Sequence, residues 1–216
     1  PPKAEKYPRQ RVLRLMLQNV SVWGPKAQSF MHVLTTPHLL HQFDVLMMSE
    51  LHATGPRVKS IATHTNRAGY LPRAQPAQIT QDPNKHQGYG TEGGVLVGVA
   101  KHLPCVGPFV ETRLMKRTQV EPATTAHPFM ALQVIRLKRR DVLLVSAYFI
   151  SGLGPSGRNL ELLFDMMGYR TALDYPFVIG ADWNMEPDEL ACTHFLNDVR
   201  GVVVRPKAQY TTTGNS

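Results

Sequence analysis

An α/β domain whose β-sheets are mixed rather than purely parallel is the architecture this sequence predicts, and three observations predict it. Short apolar runs alternate with segments of helical periodicity, as crossover connections require. Two strand-like runs, residues 129–137 and 141–149, are separated only by Lys138, Arg139 and Arg140, which signals a hairpin and therefore an antiparallel pair. The 216 residues suit one sizeable core, and 43% hydrophobic with 19% charged residues is an ordinary globular composition.

The elements follow in order. Residues 1–11 read as a polar, proline-bearing leader, and residues 12–216 as one domain without internal repeats. Residues 12–18 alternate in part between apolar and polar positions and end at Asn19, as a strand would. Residues 25–41 carry Phe30, Val33, Leu34, Leu39 and Leu40 at helical spacing, with Pro37 expected to kink or interrupt the helix. The run FDVLMMSE predicts a buried strand with Glu50 at its carboxyl end. Residues 58–64 read as a further strand, and residues 65–92, rich in Pro, Gly, Gln and Asn, as a long surface excursion.

GGVLVGVA, opening at Gly93, suits a central strand in which Gly98 admits a close neighbour. Residues 103–128 are mixed in character, and the predicted hairpin follows them. After a flexible loop over 151–157, residues 158–171 place Leu160, Leu163, Phe164 and Met167 on one helical face. Residues 175–181 read as a buried strand followed by Asp182, and Glu186-Pro187 as the start of a helix through Asp198. Residues 201–205 read as a last strand.

Composition narrows function from the outside. A formal net charge of +8, from 24 Lys and Arg against 16 Asp and Glu, favours polyanionic partners such as nucleic acid, although a solvated basic surface carries the same signature. Cys105 and Cys192 stand far apart without metal-ligand spacing, which argues against a disulfide framework or a structural zinc site. No signal core or membrane-length apolar run is present. The expectation is an intracellular protein, nuclear or cytoplasmic, not secreted and without a membrane partner, cut from something longer.

Chemistry is expected where strands end. Asn19, Glu50 and Asp182 each close an apolar run, and if those strands are neighbours an amide and two carboxylates meet. A divalent cation is the natural way to neutralise such carboxylates, and an all-oxygen donor set favours Mg²⁺ or Mn²⁺ over zinc. A Mg²⁺ ion with few protein ligands keeps positions open for water and phosphate oxygens, which suits phosphoryl transfer.

Five motifs sharpen this reading. LQNVSVWG at 17–24, MSELH at 48–52, GGVLV at 93–97, VSAYF at 145–149 and IGADWNMEP at 179–187 occur in the order and roughly at the intervals of the endonuclease/exonuclease/phosphatase superfamily. The chain resembles most the endonuclease domains of non-LTR retrotransposons and the related apurinic and pancreatic nucleases. The resemblance implies a four-layered α/β sandwich with two packed mixed β-sheets, incomplete at the C-terminus, and a site at one edge of them. It also implies roles: Glu50 binds the metal, Asn19 helps order metal and phosphate, Asp182 orients or deprotonates the attacking water, and Asn184 and Tyr148 contact the scissile phosphate.

This sequence departs from the family pattern in several places. Ser21 stands where relatives often have an acidic residue, Ser146 and Ile150 replace the outer residues of an Asn-x-Tyr-x-Pro motif, and Ala181 replaces a glycine. The Ser-x-Ile-Asp and Ser-Asp-His motifs that the family carries further on are not in the chain, and TTTGNS resembles the lead-in to the first, so residues 12–216 are read as a partial domain. The resulting expectation is a Mg²⁺-dependent endonuclease acting on DNA, with a reverse transcriptase possible in the parent chain. The alternatives are the same fold acting on RNA or a small phosphate ester, or a catalytically dead fragment.

Bland readings hold elsewhere. The histidines, including His52, His64 and His86, lack paired spacing and are assigned no ligand role. The basic residues 136–140 are read as a solvated hairpin tip, and Trp183 as packing beneath the site.

Overall fold

The computed structural model describes residues 12–34, 43–81, 89–106, 127, 129–138 and 140–204. The leader, the Pro37 kink, His86, Arg139 and the TTTGNS segment therefore lie outside the described residues. Two four-stranded sheets form the body. The first comprises β1 (Leu15–Asn19), β2 (Val45–Ser49), β3 (Tyr70–Gln75) and β6 (Val95–Ala100), in the order β1-β2-β6-β3. The second comprises β7 (Cys105–Val106), β8 (Met130–Leu137), β9 (Arg140–Tyr148) and β10 (Phe177–Asp182), in the order β10-β9-β8-β7. A separate two-stranded ribbon pairs β4 (Gln78–Gln81) with β5 (Tyr89–Glu92).

Both sheets are mixed, as the sequence predicts. In the first, β1 and β2 are parallel while β6 runs antiparallel to β2 and β3. In the second, β10 and β9 are parallel, whereas β8 pairs antiparallel with β9 as the predicted hairpin and with β7.

The sheets pack face to face, with helices on the outside. Alternation along the strands sorts the core: Val45, Met47, Val95, Val97 and Val99 join residues of β8 and β9, while Leu46, Met48 and Leu96 meet helices α1 (Pro25–Leu34) and α2 (Pro56–Arg67) through Met31 and Ile61. On the far side, α3 (Gly157–Leu173) covers the second sheet with Leu162, Leu163 and Met166. Helix, sheet, sheet and helix make the four layers. Strands covered on both faces are buried along their length, which is why β2 and β6 read as unbroken apolar runs.

Four local readings are corrected. Residues 58–64 belong to α2 and not to a strand: Pro56 opens it, Ile61 and Thr65 are buried one turn apart, and Thr65 Oγ1 donates to the Ile61 carbonyl at 2.9 Å. Residues 65–92 are no simple excursion, since they contain β3, β4 and β5. Pro72 disguised β3, yet this is an edge strand, where a missing N–H is tolerated.

The remaining two corrections concern the C-terminal third. The helix expected through Asp198 is two short ones, α4 (Pro187–Cys192) and α5 (Phe195–Asp198), broken at His194 with φ 60°. Residues 201–204 form no strand, and Val202 and Val204 stand 85% and 88% exposed. Within α3 the buried face is rotated slightly from the expected one, so Phe164 points to solvent. Gly98 does admit a neighbour, since a Cβ there would lie 3.3 Å from Thr65 Cγ2.

Buried Asn159 ties α3 to the loop after β9. Its Oδ1 accepts from Ile150 N at 2.7 Å, and its Nδ2 donates to the carbonyls of Ile150 and Gly154 at 2.9 and 2.8 Å. Asn159→Ala strands those backbone groups, and urea denaturation is expected to register a loss of about 2 to 4 kcal/mol.

Candidate active site at the strand ends

The fold makes four strands finish together. Asn19 is registered against Ser49 in the first sheet and Asp182 against Tyr148 in the second, so each parallel pair ends level. The pairs meet across the sandwich, where Asn19 Nδ2 donates to Asp182 Oδ2 at 2.6 Å across 163 residues of sequence. The amide has one workable orientation, because Asn19 Oδ1 accepts from Ser21 N at 2.8 Å.

That approach depends on a side chain that is absent. A Cβ at Gly180 would collide with Met47 Sδ and lie 3.1 Å from Leu17 Cδ1 and 3.2 Å from Met47 Cβ. Two residues before Asp182, β10 therefore sits directly on β1 and β2. A second link joins the sheets where Ser146 Oγ donates to the Met48 carbonyl at 3.1 Å.

Glu50 follows β2 in a left-handed conformation, φ 56°. Such a backbone is held only where its surroundings over-determine it. Here Val20 N donates to Ser49 O at 3.1 Å and Leu51 N to Gly94 O at 3.0 Å, which brackets Glu50 on both sides.

The site is electrostatically negative and partly dehydrated. Burial raises the Asp182 carboxyl above its ordinary value, and nearby Glu50 raises it further, against hydrogen bonds from Asn19 and from the Asn184 backbone that lower it. Tyr148, 5% exposed, has its hydroxyl pushed up to about 12 by burial and by the charges of Glu50, Glu92 and Asp182. It therefore stays a neutral hydrogen-bond donor at any working pH. Gly93 makes room for the ring: a Cβ there would lie 2.9 Å from Phe129 Cε1 and 3.3 Å from Tyr148 Cδ1.

Asn184 has φ 44° and donates from Nδ2 to the Phe149 carbonyl at 2.8 Å. One amide hydrogen thus braces the turn after β10. Trp183 stacks on Phe149, with centroids 4.8 Å apart and planes at 17°, so it packs beneath the site. The five residues singled out from the sequence, Asn19, Glu50, Tyr148, Asp182 and Asn184, all lie at this end of the sandwich.

Sequence reasoning missed Glu92, which acts on Tyr148 alongside Glu50 and Asp182. The available signal was its place just before Gly93-Gly94, an acidic strand end like the others, hidden because residues 65–92 were read as loop. His52 Nδ1 donates to the Thr91 carbonyl at 2.7 Å, which ties the β5 end to the Glu50 segment. His64 Nδ1 bonds the Ser60 carbonyl within α2 and belongs to no site.

The donor set fits a hard divalent cation. Asp182, with Glu50 close enough to disfavour its charge and the Asn19 amide beside it, gives an all-oxygen donor set for an ion that keeps most of its coordination as water. No group of three or more His, Cys, Asp and Glu residues able to hold a metal occurs among the described residues. No helix among them is long and apolar enough to cross a membrane.

No family model and no curated protein matches the sequence. Solved structures do match. The human Nocturnin catalytic domain, solved with a bound sulfate anion, superposes with TM-score 0.54 at 15% identity, covering 87% of this chain and 70% of that one. The AP endonuclease LMAP from Leishmania major gives TM-score 0.54 at 15% identity over 87% of this chain and 66% of its own, just under two thirds. A humanized TDP2 of D. rerio gives 0.50 at 15% identity, covering 84% of this chain and 70% of that one.

Proposed function

We propose that this chain, which has the DNase I-like fold of the endonuclease/exonuclease/phosphatase superfamily, hydrolyses phosphodiester bonds in nucleic acid with the help of Mg²⁺ or Mn²⁺. The observation that carries this reading is the meeting of Asn19 and Asp182 across the two sheets, with Glu50 close enough to raise the Asp182 carboxyl. Paired carboxylates at a strand-end edge are suited to a cation and a phosphate, and poorly suited to an unassisted structural role.

In this reading Glu50 would hold the cation, and Asn19 would help order it and the phosphate. Such an ion supplies positive charge against the negative charge that grows on the phosphoryl oxygens. Asp182 accepts a hydrogen bond or a proton from water placed for in-line attack. Tyr148, keeping its proton, donates a hydrogen bond to a phosphoryl oxygen, and Asn184 offers its second amide hydrogen to the scissile phosphate.

The substrate class rests on charge and on sequence resemblance. A net charge of +8 favours a polyanion, and the order of the five motifs favours DNA as target and a retroelement protein as source. An intracellular site of action, nuclear or cytoplasmic, accords with that substrate.

The test is nicking of supercoiled plasmid together with Mn²⁺ binding followed by electron paramagnetic resonance. The wild-type chain is expected to nick in Mg²⁺ and stop in EDTA. Glu50→Gln is expected to weaken Mn²⁺ binding and to slow nicking about 10²-fold or more. Equal Mn²⁺ binding and equal nicking by the two proteins would remove the assignment.

A further inference from the structure

The opposite end of the second sheet carries a different feature. The turn from β8 to β9 and the turn from α3 to β10 enclose a concavity of about 540 Å³, walled by Arg136, Lys138, Arg140, Asp141, Asp174 and Tyr175. It lies at the start of β9, whereas Tyr148 ends that strand, so the nine residues of β9 separate the two places by roughly 26 Å.

Its charges are unevenly matched. Asp141 takes both hydrogen bonds of Arg136, from Nε at 2.8 Å and Nη2 at 3.1 Å. Asp174 accepts from Arg170 Nη1 at 2.9 Å. Each carboxylate of the concavity already has an arginine. Lys138 and Arg140, both exposed, form no ion pair among the described residues, which leaves two positive charges facing one hollow.

Lys138 occupies a left-handed conformation, φ 49°, as the two-residue loop between paired Leu137 and Arg140 favours, and this fixes where the turn carries it. The volume falls within the range of small-molecule sites, about 300 to 1,000 Å³. Tyr175 adds an uncharged wall.

We propose that this concavity binds a phosphate group through Lys138 and Arg140, as a second anion site remote from the strand-end site. A lysine and an arginine lining one hollow can give charge-assisted hydrogen bonds to the tetrahedral oxygens of a phosphate dianion, and the spare volume accommodates the organic part of a monoester.

The test titrates the 216-residue chain with inorganic phosphate and, separately, with adenosine 5′-monophosphate, following backbone amide shifts by NMR. Saturable shifts are expected at Lys138, Arg140 and Tyr175. The Lys138→Ala/Arg140→Ala protein is expected to bind the tighter of the two probes at least about tenfold more weakly, and Asp182→Asn to bind it unchanged. Should the double variant misfold by circular dichroism, the single Lys138→Gln and Arg140→Gln proteins carry the same comparison.

Tighter binding of the nucleotide identifies a monoester as the source of the phosphate, and equal binding identifies the free anion. Both support the site. Shifts confined to the strand-end residues and abolished by Asp182→Asn, or affinity untouched by removing both cations, overturn it.

Discussion

Asp182→Asn is expected to lower Mg²⁺-dependent hydrolysis by about 10²-fold or more while raising the thermal midpoint measured in EDTA. The two effects share one cause. Burial, and then the charge of Glu50, lift the folded-state carboxyl above its ordinary value, so the folded protein binds this proton more tightly than the unfolded chain. At neutral pH the ionised carboxylate therefore detracts from stability. That penalty fades as pH falls through the folded value, and the wild-type protein gains on the variant there. Asparagine removes the charge, keeps an oxygen toward Asn19, and cannot take a proton from water. Adding Mg²⁺ should stabilise the wild type more than the variant, because ligand binding to the folded state adds to stability by mass action. Unchanged hydrolysis in Asp182→Asn would remove the aspartate from the chemistry; an unchanged midpoint would show that its charge is already compensated.

Gly180→Val is the second large effect. Its first methyl-bearing carbon would run into Met47 and crowd Leu17, so β10 must retreat from β1 and β2. Overpacking of this kind costs about 1 to 3 kcal/mol, and the retreat also separates Asn19 from Asp182. Calorimetry should show the lower midpoint, and plasmid nicking should fall by more than the folded fraction does. Adding Met47→Ala, which removes the colliding sulfur, is expected to recover part of both. A Gly180→Val protein as stable and active as the wild type would mean that the sheets do not need this close approach.

Much of the fold was legible because local pattern and tertiary role agreed. The doubly covered strands β2 and β6 are continuous apolar runs, and the β8–β9 hairpin has a turn too short for any other connection. The misread segments are those where tertiary pairing overrode local signals. Residues 58–64 carry β-branched Val58, Ile61 and Thr63, which favour a strand locally, yet Ile61 and Thr65 are buried with helical spacing. Strand β3 holds a proline that only its edge position permits. For the site, strand ends and motif order located Asn19, Glu50, Tyr148, Asp182 and Asn184, whereas Glu92 required knowing that β5 returns beside Tyr148. The basic residues 136–140 read only as a solvated tip, since the second wall of the hollow, Asp174 and Tyr175, comes from the turn after α3, far away in sequence.

The Ser146 hydroxyl gives the inter-sheet boundary something that greasy contact alone does not provide. Apolar surfaces attract without direction and tolerate sliding, but a bond from Oγ to the Met48 carbonyl has one registration. It acts as a dowel set two residues below both Tyr148 and Glu50. Slippage of one sheet over the other is thus resisted two residues below the level at which Asn19 and Asp182 meet.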